Sequence, residues 1–568
     1  MLLQTIIFPE GEVRELCFRG SPSMKASETL SFDTYFNSFS YTKYRDYTAA
    51  DNVVFSCRFE GRARVALFVF DGEEHEICST EGDGAAELTA VFSELPHNGF
   101  LYPRITALTD VRFIEGRYTS DCSPAGEMSC CIAICTYKRE QYVLKNIEQL
   151  RRIDSDRIRQ VFVIDNGNTL DCNALSGRNV RVIPNRNYGG SGGFTRGLLE
   201  AHDGGFTHVM LMDDDISFEN EIPERMAAFV SILRPEYSGA HFGTAMLSAN
   251  VPYMQYELGG ADWNGRRVCG GKHDVDVRTP QALLNNLMGN NIGYGAWWCF
   301  LMPVSDVSRY GLPFPFFIKL DDVEYGLRTC GGVPIITMNG IAVRHDDFDN
   351  KYSMHLEYYN VRNQLVMNAA HNKRPFLNSV YRLFAASFKQ LVLYRYDVIP
   401  LILWAFNDYL SGVDCFLERD EEQFNLELMR SVPGQTRLSE IPGWDETMRN
   451  SVRSCDYKLL SAASLLTGAG HFIPWFLLKN DMGAAPLSRA SYKDTLRRKT
   501  VIQYQFRGDT GFLTKRSVAK YLACSLRITG MAVKLAVLSP AAIRSYRARK
   551  EEITSADFWR NHLGTNQS

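Results

Sequence analysis

Apolar and polar residues alternate differently in three parts of the chain. Up to about residue 125, short runs rich in β-branched and aromatic residues are separated by turn-forming residues. The apolar runs lie at 53–59, 63–70 and 86–92, and the turn-forming residues lie at 60–62, 71–72 and 83–84. Short strands spaced in this way are typical of two packed antiparallel sheets. We therefore predict an N-terminal β-sandwich at residues 1–125.

From residue 126 to about 375, apolar runs alternate with helix-forming segments. The apolar runs lie at 130–135, 160–165, 180–183 and 209–212, and the helix patterns lie at 140–152 and 194–202. Strands and helices in this order form βαβ units with a mostly parallel sheet. The run at 209–212 shows no alternation, so we expect a central strand covered on both faces. The pattern predicts an α/β, Rossmann-like domain at residues 126–375.

Residues 376–568 are predicted to be mainly helical. Helix patterns lie at 379–396, 398–419 and 455–467, and a hairpin pattern pairs 501–506 with 512–515. The segment 519–547 is basic and amphipathic, which leaves open a docked C-terminal helix with a solvated face or a helix on a membrane surface. Because no stretch of about 18 uncharged apolar residues is present, we expect no transmembrane helix.

Composition narrows the class of protein. The chain has 568 residues, 45% of them apolar, and a net charge of -3. These values fit a globular protein of about two to four domains and give no electrostatic reason to expect nucleic-acid binding. The 14 cysteines follow no metal-binding spacing and several lie in apolar strands, as expected of reduced thiols in a cytoplasmic protein. The N-terminus lacks the basic region of a secretory signal.

Three carboxylates follow the predicted central strand directly. Asp213 and Asp215 are two residues apart, so they can face a common cation at the edge of the sheet where α/β proteins bind ligands. Oxygen ligands of this kind suit Mg²⁺ or Mn²⁺. His345 ends another strand pattern and is a third candidate ligand. The alternatives are an acidic turn after a strand and a structural histidine.

Polar residues also follow the other predicted strands of this domain. They are Thr136 and Arg139 after the first strand, Asp165 and Asn166 after the second, and Asn187 before a segment with four glycines in five residues at 189–193. Arginine suits phosphate groups, and glycines before a helix let a ligand approach the backbone. The spacing matches neither a Walker A nor a dinucleotide motif, which disfavours an NTPase or a dehydrogenase. A flexible loop is the alternative.

A second acidic centre lies at 321–324. Asp321 and Glu324 have the spacing of a helix-capping box, which leaves Asp322 in the first helical turn, free to act as a general base toward a hydroxyl group. Trp297 and Trp298 are adjacent in a strand pattern, so one is expected in the core and the other in a cleft, where an aromatic ring can bind a sugar. The alternatives are a capped helix start and two core tryptophans.

Taken together, these residues resemble the inverting nucleotide-sugar glycosyltransferases of family 2 with the GT-A fold, and more closely the galactofuranosyltransferases that polymerise cell-wall galactan. Four stretches carry the resemblance: FDTYFN at 32–37, NYGGSGGF at 187–194, MDDDI at 212–216 and FIKLDDVEYGLR at 317–328, followed by His345. The similarity extends over nearly the whole chain. It implies an N-terminal β-sandwich, a GT-A domain and a helical C-terminal domain.

The resemblance also implies a role for each candidate site residue. The expected metal ligands are Asp213, Asp215 and His345, for Mn²⁺ or Mg²⁺, and the expected catalytic base is Asp322. Contacts with the UDP-sugar donor are expected from Thr136, Arg139, Asp165, Asn166, Asn187 and Asp214, and contacts with the glycan acceptor from Trp297, Trp298, Asp321 and Lys319. One departure concerns Leu320, where the family typically has tryptophan, and it bears on the acceptor or the linkage formed.

The implied activity is transfer of galactofuranose from UDP-galactofuranose to a hydroxyl of a cell-surface glycan. A transferase of the same fold with UDP-galactopyranose or dTDP-rhamnose as donor, and a non-catalytic carbohydrate-binding assembly protein, are the alternatives. Acceptors of this kind are often lipid-linked, so we expect a cytoplasmic protein at the inner face of the plasma membrane. A homo-oligomer is compatible with the sequence, and no nucleic-acid partner is expected.

Overall fold

The computed structural model describes residues 1–9, 13–261, 269–289, 292–417, 419–450, 464 and 466–565. Their helices and strands form an N-terminal antiparallel sheet, a central α/β region and a mainly helical C-terminal region. The N-terminal region contains helix α1 (Tyr41–Tyr47) and strands β1 (Leu2–Thr5), β2 (Ser23–Met24), β3 (Thr29–Ser31), β4 (Asn52–Phe70), β5 (Glu74–Val91), β6 (Phe100–Ala107) and β7 (Val111–Thr119).

The seven N-terminal strands form one hydrogen-bonded sheet, and the N-terminal region is rich in strands as predicted. Strand β4 pairs with β5 along its length, with β7 in its first half and with β6 in its second half. The expected turns at 60–62 and 83–84 are register shifts inside these long strands, and the left-handed φ of 91° at Gly61 accommodates one of them. Only the turn at 71–72 separates strands as predicted.

The central region carries most of the remaining strands. They are β8 (Cys130–Thr136), β9 (Ile158–Asp165), β10 (Val180–Pro184), β11 (His208–Asp213), β12 (His241–Gly243), β13 (Ala245–Ser248), β14 (Met254–Leu258), β15 (Gly260–Ala261), β16 (Cys269–Gly270), β17 (Val275–Asp276), β18 (Cys299–Pro303), β19 (Ile335–Ile336) and β20 (Ala342–His345). The helices are α2 (Glu140–Leu150), α3 (Cys172–Leu175), α4 (Gly189–Asp203), α5 (Glu221–Ser231), α6 (Pro280–Leu287), α7 (Ser305–Tyr310) and α8 (Asp321–Thr329).

The main central sheet confirms the predicted α/β arrangement. Its strand order is β10-β9-β8-β11-β18-β12-β19, with β8, β9, β10 and β11 parallel and β18 antiparallel beside β11. The apolar residues of β11 are fully buried, as expected for a strand with both faces covered. A second sheet contains β20, which runs parallel to β13 and ends at His345. The carboxyl ends of β8, β9 and β11 therefore lie at one edge of the main sheet.

The glycine-rich segment differs from its prediction because it is the start of a helix, not a loop before one. Helix α4 begins at Gly189 and includes all four glycines of 189–193. A Cβ atom on Gly193 would lie 2.1 Å from Cys135 Sγ, and one on Gly197 would lie 2.5 Å from the Ala133 Cβ. These glycines thus let α4 pack closely against strand β8, and this packing brings the helix N-terminus to the same sheet edge.

The C-terminal region is mainly helical, as predicted. Its helices are α9 (Leu356–His371), α10 (Pro375–Val392), α11 (Ile399–Leu410), α12 (Glu421–Arg430), α13 (Tyr492–Thr495), α14 (Val518–Ala548), α15 (Lys550–Ile553) and α16 (Ala556–Leu563), and its strands are β21 (Thr436–Arg437), β22 (Gly483–Pro486), β23 (Thr500–Tyr504) and β24 (Thr510–Lys515). Strands β23 and β24 form the predicted hairpin. Most of the helix predicted at 455–467 lies outside the described residues.

Helix α14 covers the predicted basic amphipathic segment and is longer and more apolar than expected. One side packs on α9, α10 and α11 through residues such as Ile528, Met531 and Leu535. The helix has 31 residues, and its length and apolar composition are sufficient to cross a membrane. Of its most apolar 18-residue window, 28% is buried in the protein. Our expectation that no such helix exists considered only uncharged stretches, whereas basic residues interrupt this one.

The predicted domain boundaries at 125/126 and 375/376 stay predictions. One buried apolar cluster includes residues of both the N-terminal sheet and the central region. The buried Arg225 of α5 also joins them, because its guanidinium donates hydrogen bonds to the Phe36, Gly340 and Thr5 carbonyls. A second cluster combines the α8 region with α9, α10 and α11. The N-terminal and central regions therefore share one core, and the central and C-terminal regions share another. This packing holds the edge of the main central sheet in place.

Candidate active site

The first acidic centre brings together three of the residues predicted from sequence. Asp213 ends β11, Asp215 lies in the turn that follows, and His345 ends β20. One ligand atom of each residue lies within 4.8 Å of the others. The His345 Nδ1 lies 2.6 Å from the Asp346 carbonyl oxygen, and Nε2 lies 3.1 Å from Asp215 Oδ1. A backbone carbonyl at Nδ1 fixes the tautomer that directs the Nε2 lone pair toward the carboxylates.

Positive charge gathers on this centre. The Lys351 ammonium lies 3.2 Å from His345 Nε2 and also pairs with Asp215 Oδ2, and Arg139 donates a hydrogen bond to the same oxygen. The His345 and Lys351 side chains together outweigh burial and hold the pKa of Asp215 far below its usual range. Burial raises the pKa of Asp213 to about 7 despite the opposing charge of His345. Asp215 therefore stays ionised beside these positively charged side chains.

The predicted donor residues divide into two groups. Thr136 Oγ1 donates to Asp214 Oδ2 at 2.7 Å, and Arg139 Nη1 lies 3.5 Å from Asp214 Oδ1. Asp214 is buried, whereas the Arg139 side chain is 42% exposed and accessible to an anion. The Asp214 carboxylate thus orients Thr136 and Arg139 at the sheet edge.

The other predicted donor residues hold the backbone of the site. The buried Asp165 carboxylate accepts hydrogen bonds from the backbone N–H groups of Gly167, Thr169 and Leu170. Asn166 Nδ2 donates to the Gly189 carbonyl at 2.9 Å, and Asn187 Oδ1 accepts from the Gly189 N–H at 3.0 Å. These side chains fasten the turn after β9 to the start of α4. Their direct contact with a donor stays a prediction.

The second acidic centre follows a strained segment. Phe317, Lys319 and Leu320 have φ values of 68°, 70° and 68°, the left-handed region that side chains rarely adopt. Such residues cost on the order of 1–3 kcal/mol each and persist only where the surroundings hold them. Arg362 donates to the Phe316 carbonyl, and Asn363 donates to the Ile318 and Lys319 carbonyls. Helix α9 therefore fixes the segment that presents Asp321 and Asp322.

The predicted capping box is wrong. Helix α8 begins at Asp321, so Leu320 is at the N-cap position and no side chain caps the helix. The fully buried Glu324 instead forms ion pairs with Arg328 at 2.7 Å and His371 at 2.9 Å. The left-handed Leu320 changes the chain direction, which removes the geometry that a capping box needs.

The two acidic centres interact electrostatically. Burial raises the pKa of Asp321, and the charges of Asp322 and Asp213 raise it further. Burial also raises the pKa of Asp322, while the Lys319 ammonium favours its ionised form. Burial lowers the pKa of Lys319, and the charges of Asp322, Asp321 and Asp213 raise it by a smaller amount. The fold thus places carboxylates of both centres around this half-buried lysine.

Both tryptophans of the predicted acceptor platform are buried, so the expectation that one of them lines a cleft is wrong, and their contact with an acceptor stays a prediction. Trp297 and Trp298 lie in a turn before β18 and are 5% and 3% exposed. They do point to opposite sides: Trp297 packs on Phe194, and Trp298 packs on Phe348 and donates to the Thr244 carbonyl. The cores on the two sides of the sheet extend to its edge, so neither ring is left for a cleft.

Two charged residues of the site were missed by the sequence analysis. Lys351 follows the candidate ligand His345 by six residues, and no motif distinguishes it from a surface lysine. Glu257 lies on β14, and burial followed by the Asp322 charge raises its pKa to about 8. Glu257 is far from Asp322 in sequence, so no sequence motif connects the two residues. The pairing of β14 with β13 brings Glu257 to the site.

The C-terminal region holds the loop that follows His345. Arg507 pairs with Asp347 at 2.7 Å, and Arg489 pairs with Asp349 at 2.5 Å. Both carboxylates lie between His345 and Lys351 in sequence. These ion pairs fix the loop that carries two residues of the first acidic centre.

We predict that Arg507→Ala lowers the transfer rate about tenfold without unfolding the protein. Loss of the partner of the buried Asp347 frees the loop, and a displaced active-site group costs rate out of proportion to its displacement. Thermal unfolding and initial rates measure the two effects. Arg112→Ala removes an exposed arginine that pairs at 3.9 Å in the N-terminal sheet and serves as the control. Equal rates for the two variants would show that the loop is fixed by other contacts.

Comparison with known protein families identifies two regions of the chain. Residues 12–121 match the model of the galactofuranosyltransferase 2 N-terminal region, and residues 131–245 match that of glycosyl transferase family 2. The second match contains β8, β9, β11 and the three carboxylates. The two matches thus cover most of the N-terminal sheet and the part of the central sheet that carries Asp213 and Asp215.

Two characterised relatives match a longer part of the chain. Galactofuranosyltransferase GlfT2 of Mycobacterium tuberculosis is 26% identical over 432 residues, which cover 69% of this chain and 67% of the relative. GlfT2 of Mycolicibacterium smegmatis is 26% identical over 430 residues, 69% of this chain and 66% of the relative. The aligned region therefore spans about two thirds of either relative.

Solved structures give weaker similarities. Staphylococcal (S. aureus) TarS residues 1–349 has a TM-score of 0.32 and 13% identity, covering 49% of this chain and 81% of that one. The mannosyltransferase PcManGT from Pyrobaculum calidifontis, in complex with GDP-Man and Mn²⁺, has a TM-score of 0.29 and 12% identity, covering 55% and 88%. The family matches and the sheet carry the assignment. The chain is therefore similar to the family 2 glycosyltransferases, and more closely to the mycobacterial galactofuranosyltransferases.

Proposed function

We propose that this enzyme transfers galactofuranose from UDP-galactofuranose to a hydroxyl group of a glycan, with inversion at the anomeric carbon. The observation that carries the proposal is the convergence of the two acidic centres around Lys319 at one sheet edge, in a chain similar to galactofuranosyltransferases from its N-terminal sheet onward. One centre suits a nucleotide diphosphate and its cation. The other suits deprotonation of an acceptor.

Asp213, Asp215 and His345 would hold a divalent cation, Mn²⁺ or Mg²⁺. Their ligand atoms lie within 4.8 Å of one another, and the His345 tautomer directs Nε2 toward Asp215. The position of Lys351 shows that positive charge is accommodated there, and a bound cation would require the ammonium to move aside. Such a cation supplies positive charge that stabilises a departing diphosphate.

Asp322 would take the proton of the acceptor hydroxyl. A general base works best when its pKa lies near the working pH, and burial shifts Asp322 in that direction. Lys319 keeps a positive charge beside the ionised carboxylate. Arg139, exposed at the sheet edge, would bind the diphosphate, and Asp321 would help to position the acceptor.

The test of the donor is UDP or nucleotide release in the presence of a galactofuranosyl acceptor and Mn²⁺. We expect release from UDP-galactofuranose and none above background from UDP-galactopyranose, UDP-glucose or dTDP-rhamnose. Release confined to another donor would overturn the sugar assignment while leaving the transferase assignment intact. Leu320 lies where the related enzymes typically have tryptophan. Rates with acceptors that carry different terminal sugars would test whether this difference changes the choice of acceptor.

The acid limb of the activity should reflect Asp322. A general base must be ionised, so transfer is lost as the pH falls through the pKa of Asp322 in the folded enzyme. Burial raises this pKa above the ordinary aspartate value of about 3.9, so the loss occurs at a higher pH. We expect kcat/KM to fall between about pH 7 and about pH 5. Rates across this range, corrected for unfolding by circular dichroism, measure it. A constant kcat/KM down to about pH 4.5 would contradict the assignment.

We also propose that the enzyme works in the cytoplasm at an anionic membrane surface that carries its acceptor. On helix α14, the side chains of Leu526, Val533 and Val537 are 75%, 62% and 71% exposed. Trp475, elsewhere in the C-terminal region, is 78% exposed. Residues 516–550 contain eight arginines and lysines and no acidic residue, which suits anionic headgroups. Co-sedimentation with vesicles of anionic lipid, and its loss in Leu526→Glu/Val533→Glu, tests the proposal, and binding that survives this change would contradict it.

A further inference from the structure

Three side chains outside the transferase site form a hydrogen-bonded series. His241 of β12 lies 2.6 Å from Asp306 Oδ2 of α7 through its Nε2, and 3.0 Å from Cys330 Sγ through its Nδ1. Cys330 is the residue that follows α8. His241 and Asp306 are buried, and Cys330 is half-buried. A thiol, an imidazole and a carboxylate in this order are the groups of an activated cysteine nucleophile.

The chemistry of the imidazole follows from its two partners. The Asp306 carboxylate can only accept a hydrogen bond when ionised, so Nε2 carries a proton, and Nδ1 either accepts the Cys330 thiol proton or holds it beside the thiolate. Burial alone would lower the pKa of His241, but its interactions with Cys330 and Asp306 outweigh burial and raise that pKa to about 9. The imidazole is therefore well suited to take the proton of the thiol.

The charged surroundings do not supply another base. Tyr325 of α8 interacts with both Asp306 and Cys330, and His208 of β11 interacts with His241, which together with burial lowers the pKa of His208 to about 4. Tyr325 therefore stays a neutral phenol, because burial raises its pKa. Among the described residues that interact with the thiol, His241 is the one able to accept its proton near neutral pH.

The thiol also has a route to solvent. Cys330 is half-buried, so part of this residue is open to solvent. The other end of the series is closed, because His241 is 0% exposed. A small reagent can thus reach the sulfur while the base stays dry behind it.

We propose that Cys330 is a nucleophilic thiol that soft electrophiles, hydrogen peroxide in particular, modify with His241 as base and Asp306 as the residue that orients it. With peroxide, the sulfur forms an S–O bond while the O–O bond breaks. The sulfur is oxidised by two electrons to a sulfenic acid and the peroxide is reduced. The departing hydroxide takes the proton held by His241 and leaves as water. This inference is independent of the proposed sugar transfer.

The matched test uses iodoacetamide at about pH 6.5 and mass spectrometry of each cysteine peptide in the folded full chain. Cys122 and Cys172 are half-buried as well and serve as internal controls, since burial raises the pKa of both thiols. We expect Cys330 to react about tenfold faster than either, because a positioned base raises the thiolate fraction more than it reduces nucleophilicity.

Asp306→Asn separates activation from accessibility. The amide would donate to Nε2, which reverses the imidazole tautomer, so that Nδ1–H can no longer accept the thiol proton. In this variant we expect Cys330 to react with iodoacetamide no faster than the control cysteines. We also expect no Cys330 sulfenic acid to be trapped with dimedone after peroxide treatment. Equal rates for the three cysteines in the unchanged protein, or an advantage that survives Asp306→Asn, would overturn the proposal even if His241 variants fail to fold.

Discussion

Asp322→Asn should lower the rate of sugar transfer by about 10³-fold while leaving donor binding nearly unchanged. An amide of the same shape cannot take the acceptor proton, and general bases contribute about 10²–10⁴-fold. The half-buried side chain interacts with Asp321 and Lys319. Initial rates with the galactofuranosyl acceptor, and a separate titration of UDP binding, distinguish lost chemistry from lost affinity.

Asp557→Asn is a suitable control for this prediction. Asp557 is also in the first turn of a helix, but it is exposed on α16. We expect this variant to keep the activity of the unchanged enzyme. Turnover of Asp322→Asn within a few fold of the control would remove Asp322 as the base and direct attention to Glu257, whose pKa burial also raises.

Asp215→Ala should also abolish most of the activity, by about 10³-fold, or about 4 kcal/mol of transition-state stabilisation. Asp215 contacts His345, Lys351 and Arg139. Its removal takes away a candidate metal ligand and leaves the positive partners without their carboxylate. Calorimetric titration with Mn²⁺ should show binding to the unchanged protein and at least about tenfold weaker binding to the variant.

Metal removal offers an independent test of the same centre. The unchanged enzyme should lose activity in EDTA and regain it with Mn²⁺ or Mg²⁺. Asp420→Ala, which removes an exposed carboxylate paired with Arg186, should respond to metal as the unchanged enzyme does. Full activity in EDTA, together with normal activity of Asp215→Ala, would show that Lys351 and Arg139 stabilise the diphosphate without a cation.

The sequence pattern could predict the sheet edge because it depends on local order. Asp213 had to follow a buried strand, and Thr136 and Asp165 had to follow its parallel neighbours, so their side chains meet wherever such a sheet forms. His345 required the resemblance as well, since it ends a strand of a different sheet. The cluster of Asp213, Asp215 and His345 was therefore predictable as a set of residues.

Features that depend on packing between distant segments were not predictable. The glycines of α4 indicate flexibility when considered alone, yet here they accommodate Cys135 and Ala133 at close range. Glu324 has the spacing of a cap, but the left-handed Leu320 and the distant His371 give it another role. The long strands β4 and β5 absorb turn-forming residues because β4 changes partners at that point. Each outcome depends on a residue far away in sequence.

The most direct test of the account is the structure of the product formed from UDP-galactofuranose and a galactofuranosyl acceptor in the presence of Mn²⁺. Mass spectrometry and NMR would identify the added sugar and its anomeric configuration. The account predicts addition of galactofuranose with the configuration opposite to that in the donor, and no product with EDTA or with Asp322→Asn. A product that retains the donor configuration, or one formed equally well by Asp322→Asn, would contradict it.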